Sequence, residues 1–311
     1  MTEITANILT LLSIEGFGLV NSYKFLSSLE SINTDEILEG LNRNLKFSIT
    51  VKDWELIKRK IIEKLHKSED LNIKSIPFTS ENFPENLKEL NDFPLVLFVK
   101  GNSDNLNKEN SLAIVGTRTP TKYTINHAPE ICDKLASKSQ SIISGLALGC
   151  DTFAHKSSIK MQVPTLAILP NGLDQIYPKE NFNLALEIIE YGGCLVSEYP
   201  IGIKPTRYQF VARDRIQAGL SKVGFLLESS IKGGSMHCMK KLEKLGRKIS
   251  YLAASESSIN SEAWSGNRYF ESKYKSLEIS PTFSNEEINT ITEKFFKDNL
   301  KKENFTQDSL F

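Results

Sequence analysis

Several things are scarce in this sequence, and each scarcity excludes something. The four cysteines, Cys132, Cys150, Cys194 and Cys238, form no Cys-x-x-Cys pair. Their long spacings fit neither a zinc site nor a disulfide framework. They read as small buried apolar residues in a reducing compartment. No apolar run approaches the ~20 residues of a membrane-spanning helix. The opening MTEITANILTLLSIEGFG lacks the basic start and small-residue cleavage site of a signal peptide. These absences predict a cytoplasmic protein. Net charge is missing too. The 38 Lys+Arg balance 38 Asp+Glu, so no global field attracts polyanions, and any nucleic-acid affinity must be local.

Catalytic signatures are equally scarce. There is no HExxH, no GxSxG, and no Cys–His pair at a recognisable spacing. GGSMHC at 233–238 is not a P-loop, because no Gly-Lys-Ser/Thr follows. Asp151 and His155 are four apart and can share a helix face. The simpler reading of Asp151 is a helix-capping or first-turn residue. No catalytic residue, metal or cofactor is expected.

What is present is organised. With 311 residues the chain can hold more than one domain. Residues 1–70 read as a helical domain (SAM- or helix-hairpin-like). Ile8, Leu11, Leu12 and Ile14 lead through Gly16-Phe17-Gly18 into Val20, Phe25, Leu26 and Leu29 at helical spacing. A further helix is expected over 51–66, with Trp54, Ile57, Ile61, Ile62 and Leu65 as its stripe. The Gly-x-Gly turn either offers amides to a phosphate or simply joins two helices. IKSIPF and PLVLFVK, within 71–101, read as short strands that extend and pack onto the next domain.

From 111 to 253 short continuous apolar runs recur: LAIVG, SIISG, TLAIL, CLVSE, VGFLLE and ISYLA. Strands covered by helices on both faces have this look. The expected fold is α/β, a Rossmann-like, doubly wound and mainly parallel sheet over 71–275. The remainder, 276–311, is expected to be a polar helix (285–300) and a flexible tail.

In such sheets ligands sit beyond the carboxyl ends of the strands. Those ends carry Gly116-Thr117-Arg118, Ser144-Gly145, Pro170-Asn171-Gly172 leading to Lys179 and Phe182, Ser197-Glu198, and Glu228 followed by Gly233-Gly234-Ser235. Glycine-plus-hydroxyl turns expose amides that suit phosphate oxygens, although α/β loops use glycine in any case. Arg118 and Lys179 add cations. Phe182 offers either a stacking plane for a base or a core contact of its own helix. Between 201 and 250, eleven basic residues face three acidic ones. Arg213, Arg215 and Lys240 therefore read as a supporting basic patch, or as a solvated helix face.

The ordered motifs FPENLKELNDFPLVLFVKGN, LAIVGTR, SGLALGCDTFAHKSSI, TLAILPNGLDQIYPKEN, GGCLVSEYPIG and FVARDRIQAGLSKVGFLLES resemble the DprA/Smf family of DNA-processing proteins. They cover roughly 75 to 250, and the helical start is similar to the family's leading domain. The resemblance implies a dimeric, non-enzymatic protein that binds single-stranded DNA without sequence preference, protects it, and helps load the RecA recombinase in natural transformation. It assigns phosphate contacts to Arg118, Ser144, Gly145, Gly172 and Lys179, and stacking to Phe182. Departures are Leu148 in place of an arginine, Cys150 in place of an isoleucine, Asp214 in place of an asparagine, GGSMHC at the loop, and YLAASES without the expected proline-glycine. The C-terminal winged helix of some members is not expected here.

A second function class is open. Related Rossmann-like families include nucleotide phosphoribohydrolases, whose loop ends in a catalytic glutamate. Here Lys240 stands at that place, which argues against hydrolysis but leaves a nucleotide sensor, in defence for instance. Finally, Gln307-Asp308-Ser309-Leu310-Phe311 resembles the short sliding-clamp-binding motif. Gln307, Leu310 and Phe311 are its anchors, unless the end simply folds back.

Overall fold

The apolar runs of the middle segment become strands that share one sheet. In the computed structural model, residues 2–43, 49–258, 260–274 and 277–297 are described. The tail residues Gln307, Leu310 and Phe311 lie outside them. The chain begins with helices α1 (Thr2–Leu12), α2 (Leu19–Leu26), α3 (Thr34–Arg43) and α4 (Val51–Asp70). Thr50 caps α4, its hydroxyl accepting from the Asp53 amide at 3.1 Å. The α4 stripe buries Trp54 and Leu65, each such side chain contributing roughly 1.5–3 kcal/mol. The turn at 16–18 joins α1 to α2 with Phe17 buried.

Strands β1 (Ile73–Pro77) and β2 (Val96–Gly101) come next. The sheet continues with β3 (Ser111–Val115), β4 (Ser141–Ser144), β5 (Thr165–Ile168), β6 (Cys194–Ser197), β7 (Val223–Leu226), β8 (Lys248–Leu252) and β9 (Glu278–Ile279). The nine strands described lie in the order β1-β2-β6-β5-β4-β3-β7-β8-β9. From β6 to β9 all neighbours are parallel. β1 and β2 do more than pack on this sheet. They extend it, because β2 pairs antiparallel with both β1 and β6, in a register that sets Phe98 opposite Ser197.

The crossover helices are α5 (Lys122–Ala136), α6 (Cys150–Lys160), α7 (Phe182–Glu190), α8 (Arg207–Leu220) and α9 (Ser235–Lys244), followed by α10 (Ser265–Tyr274) and α11 (Asn285–Lys297). One sheet face buries Ile131, Leu135 and Ala154 of α5 and α6 with Ile288 and Phe295 of α11. The opposite face buries Ala218 of α8, Met239 and Leu242 of α9, and Phe270 of α10. A third cluster runs continuously from α1 through β1, β2 and β6 to Leu220 of α8. The helical start therefore shares a core with the sheet edge. All four cysteines are buried and unpaired, as expected of small apolar residues. No described helix is long and apolar enough to cross a membrane.

Candidate nucleic-acid interface

Parallel pairing puts the carboxyl ends of β3 to β7 along one edge. After β3 the chain moves outward through β4, β5 and β6, then returns to β7 on the other side of β3. That reversal opens a crevice between β3 and β7, the usual place for a nucleotide phosphate against a helix start. Here the crevice is filled from within. Glu228, just past β7 and 1 % exposed, accepts from the Thr121 amide at 3.0 Å and the Thr121 hydroxyl at 2.8 Å. The Thr124 hydroxyl donates to the same oxygen. A carboxylate already occupies the positive end of α5.

The next loop, 145–149, is also internally satisfied. The Gly145 amide donates to Asp151 Oδ2 at 3.1 Å, and the Ala147 amide to the same oxygen at 3.3 Å. The Leu146 amide donates to His155 Nε2 at 3.2 Å. The Thr165 hydroxyl donates to the Ile142 carbonyl at 3.0 Å. His155 Nδ1, 2.8 Å from that hydroxyl, must then carry the proton. Burial pushes the His155 pKa down to about 3, helped by the Arg213 charge. Burial raises that of Asp151, against the pull of Arg213. Asp151 sits in the first turn of α6, so the pair that shares a helix face is a loop clamp.

Three residues expected to touch phosphate are committed elsewhere. The Ser144 hydroxyl donates to the Ile114 carbonyl at 2.7 Å and is fully buried. The Gly145 carbonyl accepts from Arg213 Nη1 at 2.6 Å, and a side chain there would run into that guanidinium. The Gly172 amide donates to the Ile203 carbonyl at 3.0 Å. These residues position the edge; their polar groups do not face outward.

The basic patch is corrected in the same way. Arg213 is 6 % exposed. It donates to the Gly145 and Ile168 carbonyls, both at 2.6 Å, and to Asp214 Oδ1 at 3.0 Å. Arg215 is 8 % exposed and grips Glu198 with two bonds of 2.7 Å. Buried arginines need such partners because stranding a charge in a dry interior is costly. Lys240 is exposed but lies over the Tyr269 ring at 5.7 Å, on α10.

A second layer sits above this satisfied one and is solvent-facing. Gly149 has φ +79°, a left-handed value suited to glycine. It lets the α6 start lie against the Thr117–Arg118 backbone, where the Cys150 amide donates to the Thr117 carbonyl at 3.1 Å. The exposed Arg118 guanidinium lies 5.1 Å from the Phe210 ring centroid. Phe210 in turn meets Tyr177 edge-on at 5.4 Å. Tyr177 leads through Pro178 to Lys179, which is exposed. Asn181 fastens this segment by donating to the Leu146 carbonyl at 2.9 Å and the Thr152 hydroxyl at 3.0 Å. Phe182 follows, 50 % exposed. Arg118, Phe210 and Tyr177 thus form one contact chain, and the exposed Lys179 and Phe182 follow Tyr177 by two and five residues. Phe210 and Tyr177 went unnoticed in the sequence. Tyr177 adjoins Lys179, but nothing local marks Phe210.

Gly233, Gly234 and Ser235 stand apart from these residues. They start α9, with the Ser235 hydroxyl 2.8 Å from that of Ser229. Their loop leans on α10 through the Ile231 amide and the Ser265 hydroxyl, at 2.8 Å. The Gly234 and Ser235 amides have no protein acceptor among the described residues. No described group of His, Cys, Asp and Glu is arranged to hold a metal ion.

The family model for DNA recombination-mediator protein A matches residues 74–277. Protein Smf of Escherichia coli K12 is 37% identical over 174 residues, 56% of this chain but 46% of that protein. The chain thus spans about half the length of that relative. DNA processing protein DprA of Bacillus subtilis 168 is 34% identical over 221 residues, 70% of this chain and 73% of that one. Among solved structures, DNA processing protein A of Streptococcus pneumoniae matches with a TM-score of 0.65 and 22% identity over 93% of both chains. That of Helicobacter pylori, described for its single-stranded DNA binding mode, matches with a TM-score of 0.61 and 28% identity over 72% of this chain and 97% of that one. By the family match and the Bacillus relative, this chain belongs to the DNA recombination-mediator protein A family.

Proposed function

We propose that the rim of Arg118, Lys179 and Phe182 holds single-stranded DNA without sequence preference. The observation that carries this is the contact chain from the solvent-facing Arg118 through Phe210 to Tyr177, with the exposed Lys179 and half-exposed Phe182 on the segment that follows Tyr177. The cations take phosphates and Phe182 stacks a base, with Tyr177 and Phe210 holding Arg118 in place. Every base has a stacking face, so such a site tolerates any sequence. The Gly234 and Ser235 amides at the α9 start, free among the described residues, offer a phosphate a second, separate contact. The Helicobacter relative, known by its single-stranded DNA binding mode, supports the same ligand.

We place the protein in the cytoplasm as a homodimer that protects incoming single strands and assists RecA loading in natural transformation. It does this without catalysis, since Asp151 and His155 are both spent on loop amides. A clamp contact through Gln307, Leu310 and Phe311 is a separate proposal, tested by deleting 307–311. The nucleotide-sensor reading is weaker at the sheet crevice, where Glu228 occupies the α5 start.

The deciding experiment is binding of dT20 and of a mixed-sequence 20-mer across a salt series. Near-equal affinities that fall steeply with salt are expected. Equal binding by the parent and by Arg118→Ala and Lys179→Ala would remove the site. RecA filament nucleation on dT oligomers, with and without the protein, tests the downstream role.

A further inference from the structure

A cleft of about 1070 Å³ separates the N-terminal helices from α8 and the 198–203 segment. It is distinct from the rim, yet one helix serves both. Phe210 of α8 meets Arg118, while Tyr208 and Val211 of α8 line the cleft. Leu12, Phe17 and Ile203 give it apolar walls, and Asp92, Glu198 and Arg215 also line it. Tyr208 is 78 % exposed and Val211 is 45 % exposed, large apolar surface left open to solvent.

One buried polar group lines this cleft with capacity to spare. Asp214 is 7 % exposed. Its Oδ1 accepts from Arg213 Nε at 3.0 Å. Its Oδ2 receives no hydrogen bond from any described residue, and the carboxylate belongs to the cleft lining. Lys64 and His237 also line it and are exposed, whereas Lys241 pairs with Asp92 at 3.5 Å and Arg215 with Glu198 at 2.7 Å. A ligand that fits has a flat apolar body, an N–H for one carboxylate oxygen, and a negative charge that can meet Lys64 at the edge. A nucleobase on its phosphate has all three. Thymine, guanine, adenine and cytosine each carry an N–H on the pairing edge, so one free oxygen accepts any of them.

We propose that this cleft takes one unstacked nucleobase, donating an N–H to Asp214, from the strand held on the rim. The proposal rests on the strand-binding reading for its source of bases; a free nucleotide has the same chemistry and is separated below.

The test compares dT20 with a 20-mer of N3-methylthymidine, which keeps backbone, charge and stacking face but loses the N–H. The parent should bind the methylated oligomer about tenfold more weakly, the effect of leaving a buried acceptor unmade. Val211→Trp, which fills the cleft from an exposed position, should bring dT20 down to the methylated level and erase the difference. Lys179→Ala should weaken both oligomers equally and preserve their ratio. A parental ratio near one, with dT20 binding still dependent on Lys179, overturns the cleft inference and leaves the rim reading standing. If dT20 does not bind at all, the rim reading fails. Calorimetry with dTMP then decides: binding lost in Val211→Trp keeps the cleft with a free nucleotide as its source, and no binding overturns it. If Val211→Trp changes only the oligomeric mass, the cleft is a protein interface and the inference is wrong.

Discussion

Two layers at the same sheet edge use the same kinds of residue for opposite ends. The inner layer holds Ser144, Gly145, Asp151, His155 and Arg213, and nearly every polar atom there has a protein partner. The outer layer holds Arg118, Lys179 and Phe182, whose cations and ring face solvent. A rigid rim needs both. Buried, satisfied groups fix where the loops run, and exposed groups on those loops are then free to meet a ligand. The comparison predicts that changes in the inner layer cost stability, while changes in the outer layer cost binding and leave stability alone.

The largest effect is expected at Arg213. Replacing it with alanine strands the Asp214 carboxylate and frees the Gly145 and Ile168 carbonyls. Removing one partner of a buried ion pair costs about 3–5 kcal/mol. Urea unfolding should show a loss of that order. A loss below about 1 kcal/mol, within the range of an exposed pair, would break the distinction between the layers.

The second expected effect is a pH dependence carried by His155. Its pKa is about 3 in the fold against 6.5 in the open chain, so the unfolded state takes up the proton first. Stability from this group is fully present above pH 6.5 and is lost as pH falls toward 3, amounting to about 2 kcal/mol by pH 5. Asp214 works in the opposite direction. Burial lifts its pKa to about 6 against the pull of Arg213, so its contribution is present below 3.8 and lost as pH rises through 6. Comparing the parent with His155→Gln separates the two, because glutamine does not titrate. Unfolding at pH 7.5 and pH 5 should show a smaller acid loss in the variant; an unchanged loss would assign the effect to other groups.

The same contrast explains which parts of the molecule were legible in its sequence. The parallel strands were, because a strand covered on both faces must be continuously apolar. That β1 and β2 join the same sheet was not, since β2 pairs with β6 almost a hundred residues later and no local signal carries that register. β9, only Glu278–Ile279, is too short to leave a pattern. At the candidate site, strand ends alone pointed to Arg118, Lys179 and Phe182, and all three are exposed. Whether a loop amide is free could not, because Asp151 and His155 claim those amides from the following helix. The basic excess over 201–250 misled for a related reason. Arg215 and Arg247 pair with Glu198 and Glu89, which lie outside that window. Charge counted along the chain cannot see partners brought together by folding.

Outer-layer changes should be smaller and of a different kind. Phe182→Ala should weaken dT20 binding about tenfold, within the usual range for a stacked base. Lys179→Ala should weaken it about fivefold at 0.1 M salt and lower the salt slope by about 0.7, the share of one phosphate on a single strand. Both should unfold within about 0.5 kcal/mol of the parent. A stability loss above about 1 kcal/mol for either would move that residue into the inner layer.

The smallest change tests the rim from the side of gain. Leu148 is 40 % exposed and stands directly before Gly149, whose backbone lies against that of Arg118. An apolar side chain there contributes nothing to a phosphate track. Leu148→Arg adds a cation beside Arg118 without touching the Asp151 and His155 clamps, so stability should not move. One further phosphate contact would raise dT20 affinity by at most about fivefold at 0.1 M salt and steepen the salt slope by about 0.7. The gain should vanish in high salt, where counterion release no longer favours binding. A gain that persists there would mean the arginine stacks on a base, and no gain at all would mean the strand passes Arg118 on the side away from the β4–α6 loop.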